Sequence, residues 1–525
     1  MLRDNYQLSL CLMTVILMAL VTNAPGQIYV DAAATGANDG TSWDDAYIYL
    51  QDALAKAEAE AGVEIWVAQG IYKPDQGIGQ IPGDRNATFQ LISGVVLLGG
   101  FGGETILSGD IGIAGDSSDN CYHVVTGKKI DASAVIEGFT IEDGCADGPN
   151  LSESICYDEG GGMFIYNGDP TVNDCIFQSN YAIWGGAVSA RINSSPVFNH
   201  CEINNNSAGW AGGMSNYIDC HTELNNCKFI GNFTVEYGGQ LWGGGGMINL
   251  SNCNPVLSHC DFIGNSALQG GGMINWMNCS PALNTCKFIG NSVSQNGGGL
   301  LNAFGSCPEV IDCEFLDNSA VFGGGMANDT DVCAVVINCK FNGNSAGFGG
   351  GGLIAYNNSH LELTACKFNN NTASLYGGGL FNWIGSSPVL DSCKFNSNAS
   401  LFGGGMCNLT STNPELTDCT FNDNSADDQG GGMFNTDSSN PILTDCTLQG
   451  NHSGNVGGGL ASTGGSVATL EHCLLWGNTA ANAVGEFAQI SDDGFPVINN
   501  SCIQGWTGYF GGTGNTGKKS EYIKK

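Results

Sequence analysis

Basic residues are scarce in this sequence. Only 16 of the 525 residues are Lys or Arg, against 50 Asp or Glu, and the formal net charge is −34. Nucleic acid and anionic membrane surfaces are bound through clustered Lys and Arg, so this composition argues against both as partners. The acidic surface that remains is typical of a soluble protein.

Long apolar runs are also rare. After the first 26 residues no stretch approaches eighteen apolar residues, so no membrane span is predicted there. The first segment has Arg3, an apolar run over residues 8–21 and the small-residue end Ala24-Pro25-Gly26, which is typical of a signal peptide. We therefore expect an exported protein, either secreted or held at the cell surface.

Recognisable catalytic and metal-binding motifs are missing as well. The sequence has no calcium nonapeptide, EF-hand loop or nucleophile elbow, and its seven His residues form no spaced cluster. After the signal peptide only two Arg remain, Arg85 and Arg191. Pairs of carboxyls of the kind glycosidases use occur only in turn-like sequence, as at Asp329 and Asp331. The prediction is that there is no catalytic residue, no cofactor and no metal site.

Glycine and repetition are what the sequence has in abundance. It contains 80 Gly, and a Gly run ending in a bulky apolar residue precedes each copy of the motif Cys-x-Phe/Leu/Ile-x-x-Asn. Successive copies are 26 or 27 residues apart, with one gap of 33. The motif begins at Cys175, Cys201, Cys227, Cys260, Cys286, Cys313, Cys339, Cys366, Cys393, Cys419, Cys446 and Cys473.

No copy has room for a helix of ten residues with an apolar stripe. In residues 380–398, short apolar stretches at 380–382, 389–390 and 393–395 alternate with Gly, Ser, Pro and Asn, which predicts three strands and three bends. The apolar face of such a coil is buried only by stacking on its neighbours. We predict a right-handed parallel β-helix of about 12 regular coils, about 60 Å long at the usual strand spacing.

The repeated Asn residues have a structural role in this architecture. We expect the Asn that closes each motif, such as Asn291 and Asn318, to stack into a ladder of amide hydrogen bonds. Asn also tolerates the left-handed conformation that a sharp bend needs. A second Asn column, which includes Asn249, Asn275 and Asn302, follows the Gly runs.

The paired motifs Gly-Gly-Gly-Met/Leu and Phe-x-x-Asn resemble the repeat of the polymorphic outer-membrane protein (Pmp) family over residues 158–480. The segments Ile28-Tyr29-Val30-Asp31 and Ile65-Trp66-Val67 resemble the start of secreted β-helix proteins of the pectin-lyase-like superfamily. These resemblances imply a secreted or surface-displayed β-helix that acts as an adhesin or an autotransported passenger.

The predicted organisation follows from these repeats. A signal peptide (1–26) precedes an N-terminal cap with irregular first coils (27–157), in which a short helix around residues 47–57, capped by Ser42 and Asp45, covers the open end of the β-helix. Regular repeats (158–480) are followed by a degenerate last coil (481–510) and a disordered tail (511–525).

Cysteine is frequent, with 23 residues. The twelve motif Cys face the core, where a free thiol behaves as a small apolar group. In an exported protein disulfides are expected elsewhere, between Cys145 and Cys156, which flank a polar insertion, and between successive members of a second column. That column is Cys220, Cys253, Cys279, Cys307 and Cys333.

Aromatic residues immediately before the Gly runs are the candidate binding feature. If they point outward, they form a strip that stacks on sugar rings; if inward, they form a core stack. Interruptions at Gln269, Asn296 and Gln429 and the abundance of Phe favour the core. The column comprises Trp184, Trp210, Trp242, Phe322, Phe348, Tyr376 and Phe402.

Two function classes stay open. The first is a secreted or surface structural or adhesive protein with non-catalytic binding along one face, its partner an extracellular polysaccharide or another cell-surface molecule. Its candidate binding residues are Trp184, Trp210, Tyr237 and Trp242, the last two from an insertion at 233–242. The alternative is a polysaccharide-active enzyme, a lyase or a glycoside hydrolase, with its groove near that insertion.

Overall fold

The computed structural model describes residues 26–59, 62–237 and 243–522. Apart from Gly26, the predicted signal peptide lies outside these residues. Helix is confined to Leu50–Ala57, Glu486–Gln489 and Lys519–Tyr522, with a 3-10 turn at Ser117–Asp119, as far as the described residues show. None of these helices is long and apolar enough to cross a membrane.

Each regular coil contains four short strands. In the coil that begins at Leu380 they are Leu380–Trp383, Val389–Asp391, Lys394–Asn396 and Ala399–Phe402. The sequence predicted the first three of these and missed the fourth, because small and polar residues there resemble a loop. Stacked coils align these strands into three parallel sheets, which we name A, B and C.

Sheet A takes the second and third strands of every coil and the long strands of the N-terminal region. Its strands are Gly26–Val30, Val63–Tyr72, Val95–Ser108, Val135–Glu137, Thr140–Glu142, Thr171–Asn173, Ile176–Gln178, Val197–Asn199, Glu202–Asn204, Glu223–Asn225, Lys228–Ile230, Val256–Ser258, Asp261–Ile263, Ala282–Asn284, Lys287–Ile289, Glu309–Ile311, Glu314–Leu316, Val335–Ile337, Lys340–Asn342, Glu362–Thr364, Lys367–Asn369, Val389–Asp391, Lys394–Asn396, Glu415–Thr417, Thr420–Asn422, Ile442–Thr444, Thr447–Gln449, Thr469–Glu471, Leu474–Trp476, Val497–Asn499 and Cys502–Ile503.

Sheets B and C take the first and the fourth strand of each coil. The strands of sheet B are Phe89–Gln90, Val125–Lys128, Met163–Tyr166, Val188–Arg191, Met214–Tyr217, Met247–Leu250, Met273–Trp276, Leu300–Ala303, Met326–Asp329, Leu353–Tyr356, Leu380–Trp383, Met406–Leu409, Met433–Thr436, Leu460–Ser462 and Ile490–Asp492. Those of sheet C are Cys145–Ala146, Tyr181–Trp184, Ser207–Trp210, Phe233–Thr234, Ser266–Ala267, Ser292–Val293, Ser319–Phe322, Ser345–Gly349, Thr372–Ala373, Ala399–Phe402, Ser425–Gln429, His452–Ser453 and Thr479–Ala480. An antiparallel pair, Asn150–Ser152 and Ile155–Cys156, stands apart.

Identical residues stack on one another through the interior. The motif Phe residues from Phe229 to Phe421 form a continuous stack, with ring centroids 4.5 to 4.9 Å apart and planes within 7° of parallel. The motif Cys lie in the same core, fully buried, and the backbone N–H of Cys286 donates to Cys313 Sγ at 3.3 Å. Burial raises the pKa of such a thiol, to about 12 at Cys175. The predicted stacking of coils is confirmed.

The predicted asparagine ladder is also present. Asn291 Nδ2 donates to Asn318 Oδ1 (2.9 Å) in the next coil and to the Phe262 carbonyl (2.9 Å) in the coil before it. The left-handed residue is the one before each ladder Asn, for example Gly290 (φ 61°) or Asp317 (φ 54°). The bend therefore takes its left-handed conformation at the preceding residue and not at the ladder Asn.

Glycine is required between sheets C and B. Gly297 has a left-handed φ of 68°, and a Cβ on Gly298 would lie 2.3 Å from the Gly324 carbonyl oxygen of the next coil. Only a residue without a Cβ permits this approach of neighbouring backbones.

Other segments lie against both ends of the described β-helix. The helix Leu50–Ala57 buries Leu50, Ala53 and Leu54 in the core, but Ser42 and Asp45 form a separate turn and do not cap it. At the other end, Thr513 and Thr516 pair with residues of the last coil. The limits predicted for the five segments stay a prediction.

Candidate functional site

The aromatic residues before the Gly runs lie on the outside of the β-helix. Trp210, Phe322, Phe348, Tyr376 and Phe402 are half-buried and pack on an apolar layer separate from the core. The expectation that this column belongs to the core stack was therefore wrong. We name this surface the aromatic face; its residues are Trp184, Trp210, Trp276, Phe322, Phe348, Tyr356, Tyr376, Trp383 and Phe402.

Strand alternation explains this second apolar layer. In the sheet B strand Met247–Leu250, Met247 and Asn249 point into the core, so Ile248 and Leu250 point outward. Ile248 is nevertheless only 2 % exposed, because the aromatic face covers it and its equivalents Ile274 and Leu301. Because both sides of this strand carry apolar residues, the sequence pattern does not show which side faces the core.

An open cleft interrupts the aromatic face near its N-terminal end. It has a volume of about 330 Å³ and begins at Trp184 and Trp210, whose indole rings stack at 4.6 Å and 10°. We name it the tryptophan cleft; its other described lining residues are Tyr217, Gly243, Ile248, Leu250, Ser251, Leu268, Gln269, Ile274, Trp276 and Met277. A mostly apolar cleft with aromatic walls and a few amide and hydroxyl groups suits the ring of a sugar.

A largely buried ion pair lies beside one end of this cleft. Arg191 Nη1 contacts Glu159 Oε1, and Ser189 Oγ donates to Glu159 Oε2 at 3.0 Å. The Arg191 guanidinium lies over the ring of Tyr217, 5.1 Å from its centroid. A smaller cavity of about 200 Å³ joins this ion pair to Trp184 and Tyr217, which also line the tryptophan cleft.

Burial raises the pKa of two carboxyl groups, one in this ion pair and one beside it. It raises the pKa of the Glu159 carboxyl, although the Arg191 guanidinium opposes the rise. It also raises the pKa of the neighbouring Asp158 carboxyl, whose Oδ1 is buried and lacks a hydrogen-bond partner among the described residues. Arg191 Nε is also buried and has no hydrogen-bond partner among the described residues, so both atoms carry a desolvation cost that no hydrogen bond offsets.

The four predicted binding residues have different positions. Trp184 and Trp210 lie together in the tryptophan cleft. Tyr237 is 44 % exposed and lies against Gly209, but it is not among the described residues that line the cleft. Trp242 lies outside the described residues.

Other residues of the site were missed, although the sequence carried a signal for them. Glu159 pairs with Trp184 in the coil register, so it is the first member of the aromatic column. Arg191, Tyr217, Leu250 and Trp276 share one position, the outward last residue of sheet B strands. If the aromatic column is continued from Trp184 by one coil towards the N-terminus, it reaches Glu159. If the second column is continued from Tyr217 in the same direction, it reaches Arg191, so the two residues would have been placed on neighbouring coils.

One group of potential metal ligands lies beside the cleft. Ligand atoms of Cys156, Asp158 and Glu159 are within 4.8 Å of one another. Burial raises the pKa of the Cys156 thiol to about 12, and Arg191 already neutralises Glu159. A protonated thiol and an adjacent guanidinium both disfavour a cation, so these residues do not fit a metal site.

The predicted disulfide column is divided by a shift of one residue. Cys307 and Cys333 form a disulfide at the surface, with Cα atoms 4.6 Å apart. Cys220, Cys253 and Cys279 are thiols one position earlier, in a column that continues to Ser306 and not to Cys307. The 28-residue gap from Cys279 to Cys307, against a coil of 27, was the available signal.

The predicted staple between Cys145 and Cys156 is not formed in the structure. Both are separate buried thiols. Cys145 belongs to sheet C, where it pairs with Tyr181, whereas Cys156 belongs to the antiparallel pair and donates to the Ser152 carbonyl at 3.0 Å.

Comparison with known proteins supports the fold. A family model described as "Right handed beta helix region" matches residues 308–503. The protein is a right-handed parallel β-helix. No curated protein matches the chain.

Several solved structures are similar in fold. A rhamnogalacturonan lyase aligns at 12 % identity and a TM-score of 0.27, over 70 % of this chain and 87 % of the other. The catalytic domain of a GH87 α-1,3-glucanase in complex with nigerose aligns at 8 % and 0.26, over 92 % and 69 %. The mannuronan C-5 epimerase A-module of Azotobacter vinelandii aligns at 12 % and 0.24, over 90 % and 99 %. At these scores the likeness carries no argument about activity.

Proposed function

We propose that this protein is a non-catalytic glycan-binding β-helix that works outside the cell, secreted or displayed at the surface as an adhesive or structural protein. The observation that carries the proposal is the tryptophan cleft, where the stacked pair Trp184 and Trp210 forms one wall and Trp276 lies on another coil. Export is supported by the signal-peptide pattern of residues 1–26, and surface display by the Pmp-like repeat motifs.

The net negative charge of the chain favours an uncharged glycan over an acidic one. At a net charge of −34, an acidic polysaccharide is repelled at long range, and the polar groups of the cleft are chiefly amides and hydroxyls. The single guanidinium at its end, that of Arg191, is already paired with Glu159. An uncharged polysaccharide is therefore the expected ligand.

The test is retention on immobilised polysaccharides. Wild-type protein is passed over a panel that includes uncharged glucans, a polyuronate and the carboxyl-reduced form of that polyuronate. We expect retention on uncharged members, unaffected by salt, and none on the polyuronate. Trp184→Ala with Trp210→Ala should abolish retention while thermal stability stays close to wild type.

The matched control for this test is Trp476→Ala. Trp476 is a half-buried Trp on sheet A, far from the aromatic face in the coil register. Its removal should leave retention unchanged. Retention that survives loss of Trp184 and Trp210, or that falls equally in the control, would remove the support for a binding cleft.

A second candidate function, a polysaccharide-active enzyme, is favoured by the end of the cleft. Asp158 and Glu159 are two carboxyls with raised pKa beside a guanidinium, the kind of groups that acid–base catalysis uses. Assays for reducing ends and unsaturated products, with and without calcium, test this on the same panel. Products made by wild type and lost in Asp158→Asn or Glu159→Gln would replace the binding proposal with an enzymatic one.

A further inference from the structure

A second cleft opens on the aromatic face, farther along the β-helix. It has a volume of about 350 Å³. We name it the Tyr356 cleft; its described lining residues are Ser294, Gln295, Asn296, Val321, Phe322, Tyr356 and Trp383. Like the tryptophan cleft, it combines aromatic walls with amide and hydroxyl groups, and none of the described residues that line it is charged.

A hydrogen-bond network fixes the Tyr356 side chain in this cleft. The Tyr356 hydroxyl donates to Asp329 Oδ2 at 2.5 Å and accepts from Asn296 Nδ2 at 3.4 Å. Asn357 Nδ2 donates to the other oxygen, Asp329 Oδ1, at 3.0 Å. Burial raises the pKa of the Tyr356 hydroxyl, and the bond to Asp329 adds to the rise. The ring is therefore held neutral and in one orientation, beside the indole of Trp383 at 6.1 Å.

The two clefts are adjacent and are joined by a side-chain hydrogen bond. Gln269 lines the tryptophan cleft and Gln295 lines the Tyr356 cleft, and Gln269 Nε2 donates to Gln295 Oε1 at 2.7 Å. This amide pair is on the surface, so the contact between the two clefts is polar and uncharged. Trp276 continues the aromatic contact on the same side through Phe304, with centroids 4.6 Å apart.

The direction and distance from one cleft to the other follow from the coil register. Trp184 and Phe322 lie on sheet C strands five steps apart, which is about 24 Å along the axis at the usual strand spacing. A single monosaccharide or disaccharide occupies one cleft at most, whereas a polymer that lies along the axis reaches both.

We infer that the two clefts are subsites of one surface that binds a single uncharged polysaccharide chain lengthwise along the β-helix. The inference rests on the proposed glycan binding and adds the Tyr356 cleft, the polymer class and its direction. Linking two weak subsites through one ligand raises affinity without any new contact, because the second contact becomes intramolecular. Affinity should therefore depend on the length of the ligand.

The experiment is calorimetric titration of the full protein with size fractions of the polysaccharide that the panel retains most strongly. For wild type we expect affinity to rise by about 100-fold once the extended oligosaccharide exceeds about 24 Å. Trp383→Ala should remove this rise and leave the affinity for short fractions unchanged. Trp210→Ala should weaken short and long fractions alike, and Trp476→Ala should change neither.

The outcomes separate this inference from the function it rests on. Equal affinity for short and long fractions, or a rise that persists in Trp383→Ala, overturns the lengthwise surface but keeps the tryptophan cleft as a binding site. Failure of every fraction to bind wild type overturns both. Tyr356→Phe is a finer test that retains the ring; loss of the length-dependent rise in that variant would show that the hydroxyl network holds the second subsite in place.

Discussion

The interior of this β-helix and its aromatic face are built on the same coil, yet they differ in periodicity. Inside, Phe, Cys and Asn recur at equivalent positions from coil to coil, and each contacts its own copy above and below. Outside, the position before the Gly run changes from Glu159 to Trp184 and on to Gln269. The strict columns stabilise the fold, and the clefts occur where the outer column departs from strict repetition.

Truncation of one Phe in each region, within a single coil, tests this difference most strongly. Phe315 stacks between Phe288 and Phe341 at 4.9 and 4.7 Å, whereas Phe322 is half-buried on the aromatic face. Phe315→Ala should lower the free energy of unfolding by about 3–5 kcal/mol, since it opens a cavity in a closed stack. Phe322→Ala should cost about 1 kcal/mol.

Urea denaturation of both variants provides the measurement. The two substitutions remove the same side chain, so their difference reports position alone. Equal losses would mean that the outer layer supports the fold as much as the interior does, and the division between the two regions would fail.

A buried histidine under the outer side makes the stability of the protein depend on pH. His123 lies buried beneath the N-terminal end of the outer side, stacked on Phe164 at 5.1 Å, and burial together with the charge of Lys128 lowers its pKa from 6.5 to about 3. As the pH falls, His123 therefore becomes protonated in the unfolded chain at a higher pH than in the folded protein. The stability that His123 contributes is present above pH 6.5 and is lost as the pH falls towards 3, by about 1.4 kcal/mol per pH unit at most.

The comparison of wild type with His123→Asn isolates this contribution. Asn retains a donor for the Gly160 carbonyl that His123 Nδ1 contacts. The free energies of unfolding of the two proteins, measured between pH 7.5 and about 4, should converge as the pH falls. Carboxyls with raised pKa affect both proteins equally, so parallel curves would contradict the assignment to His123.

The smallest expected effect is a gain in stability from repairing the interior. The second asparagine column is interrupted at Ala355, so Asn328 Nδ2 turns to the Ile354 carbonyl and Asn382 Oδ1 is left buried without a partner among the described residues. Ala355→Asn would supply both missing contacts and should raise the free energy of unfolding by about 1 kcal/mol. Loss of stability would show that this coil is not equivalent to its neighbours.

Most of the fold could be predicted because one coil repeats along the chain, and the spacing of the twelve motif Cys gives the number of residues in each coil. The sequence could not show whether the aromatic column faces the core or the outside, because Ile248 and Met247 are equally apolar and face opposite ways. The fourth strand, Ala399–Phe402, is held by pairing with its neighbours more than by its own residues. The ion pair of Glu159 and Arg191 joins residues from different coils, and only an extended alignment of columns would have shown it.

The most direct test of the account is hydroxyl-radical footprinting of the Trp side chains, with and without a saturating uncharged polysaccharide. We expect protection of Trp184, Trp210, Trp276 and Trp383 on the aromatic face, and none at Trp66 or Trp476, which lie on sheet A. Protection confined to the sheet A residues, or equal protection of all six, would contradict the claim that the aromatic face is where this β-helix binds.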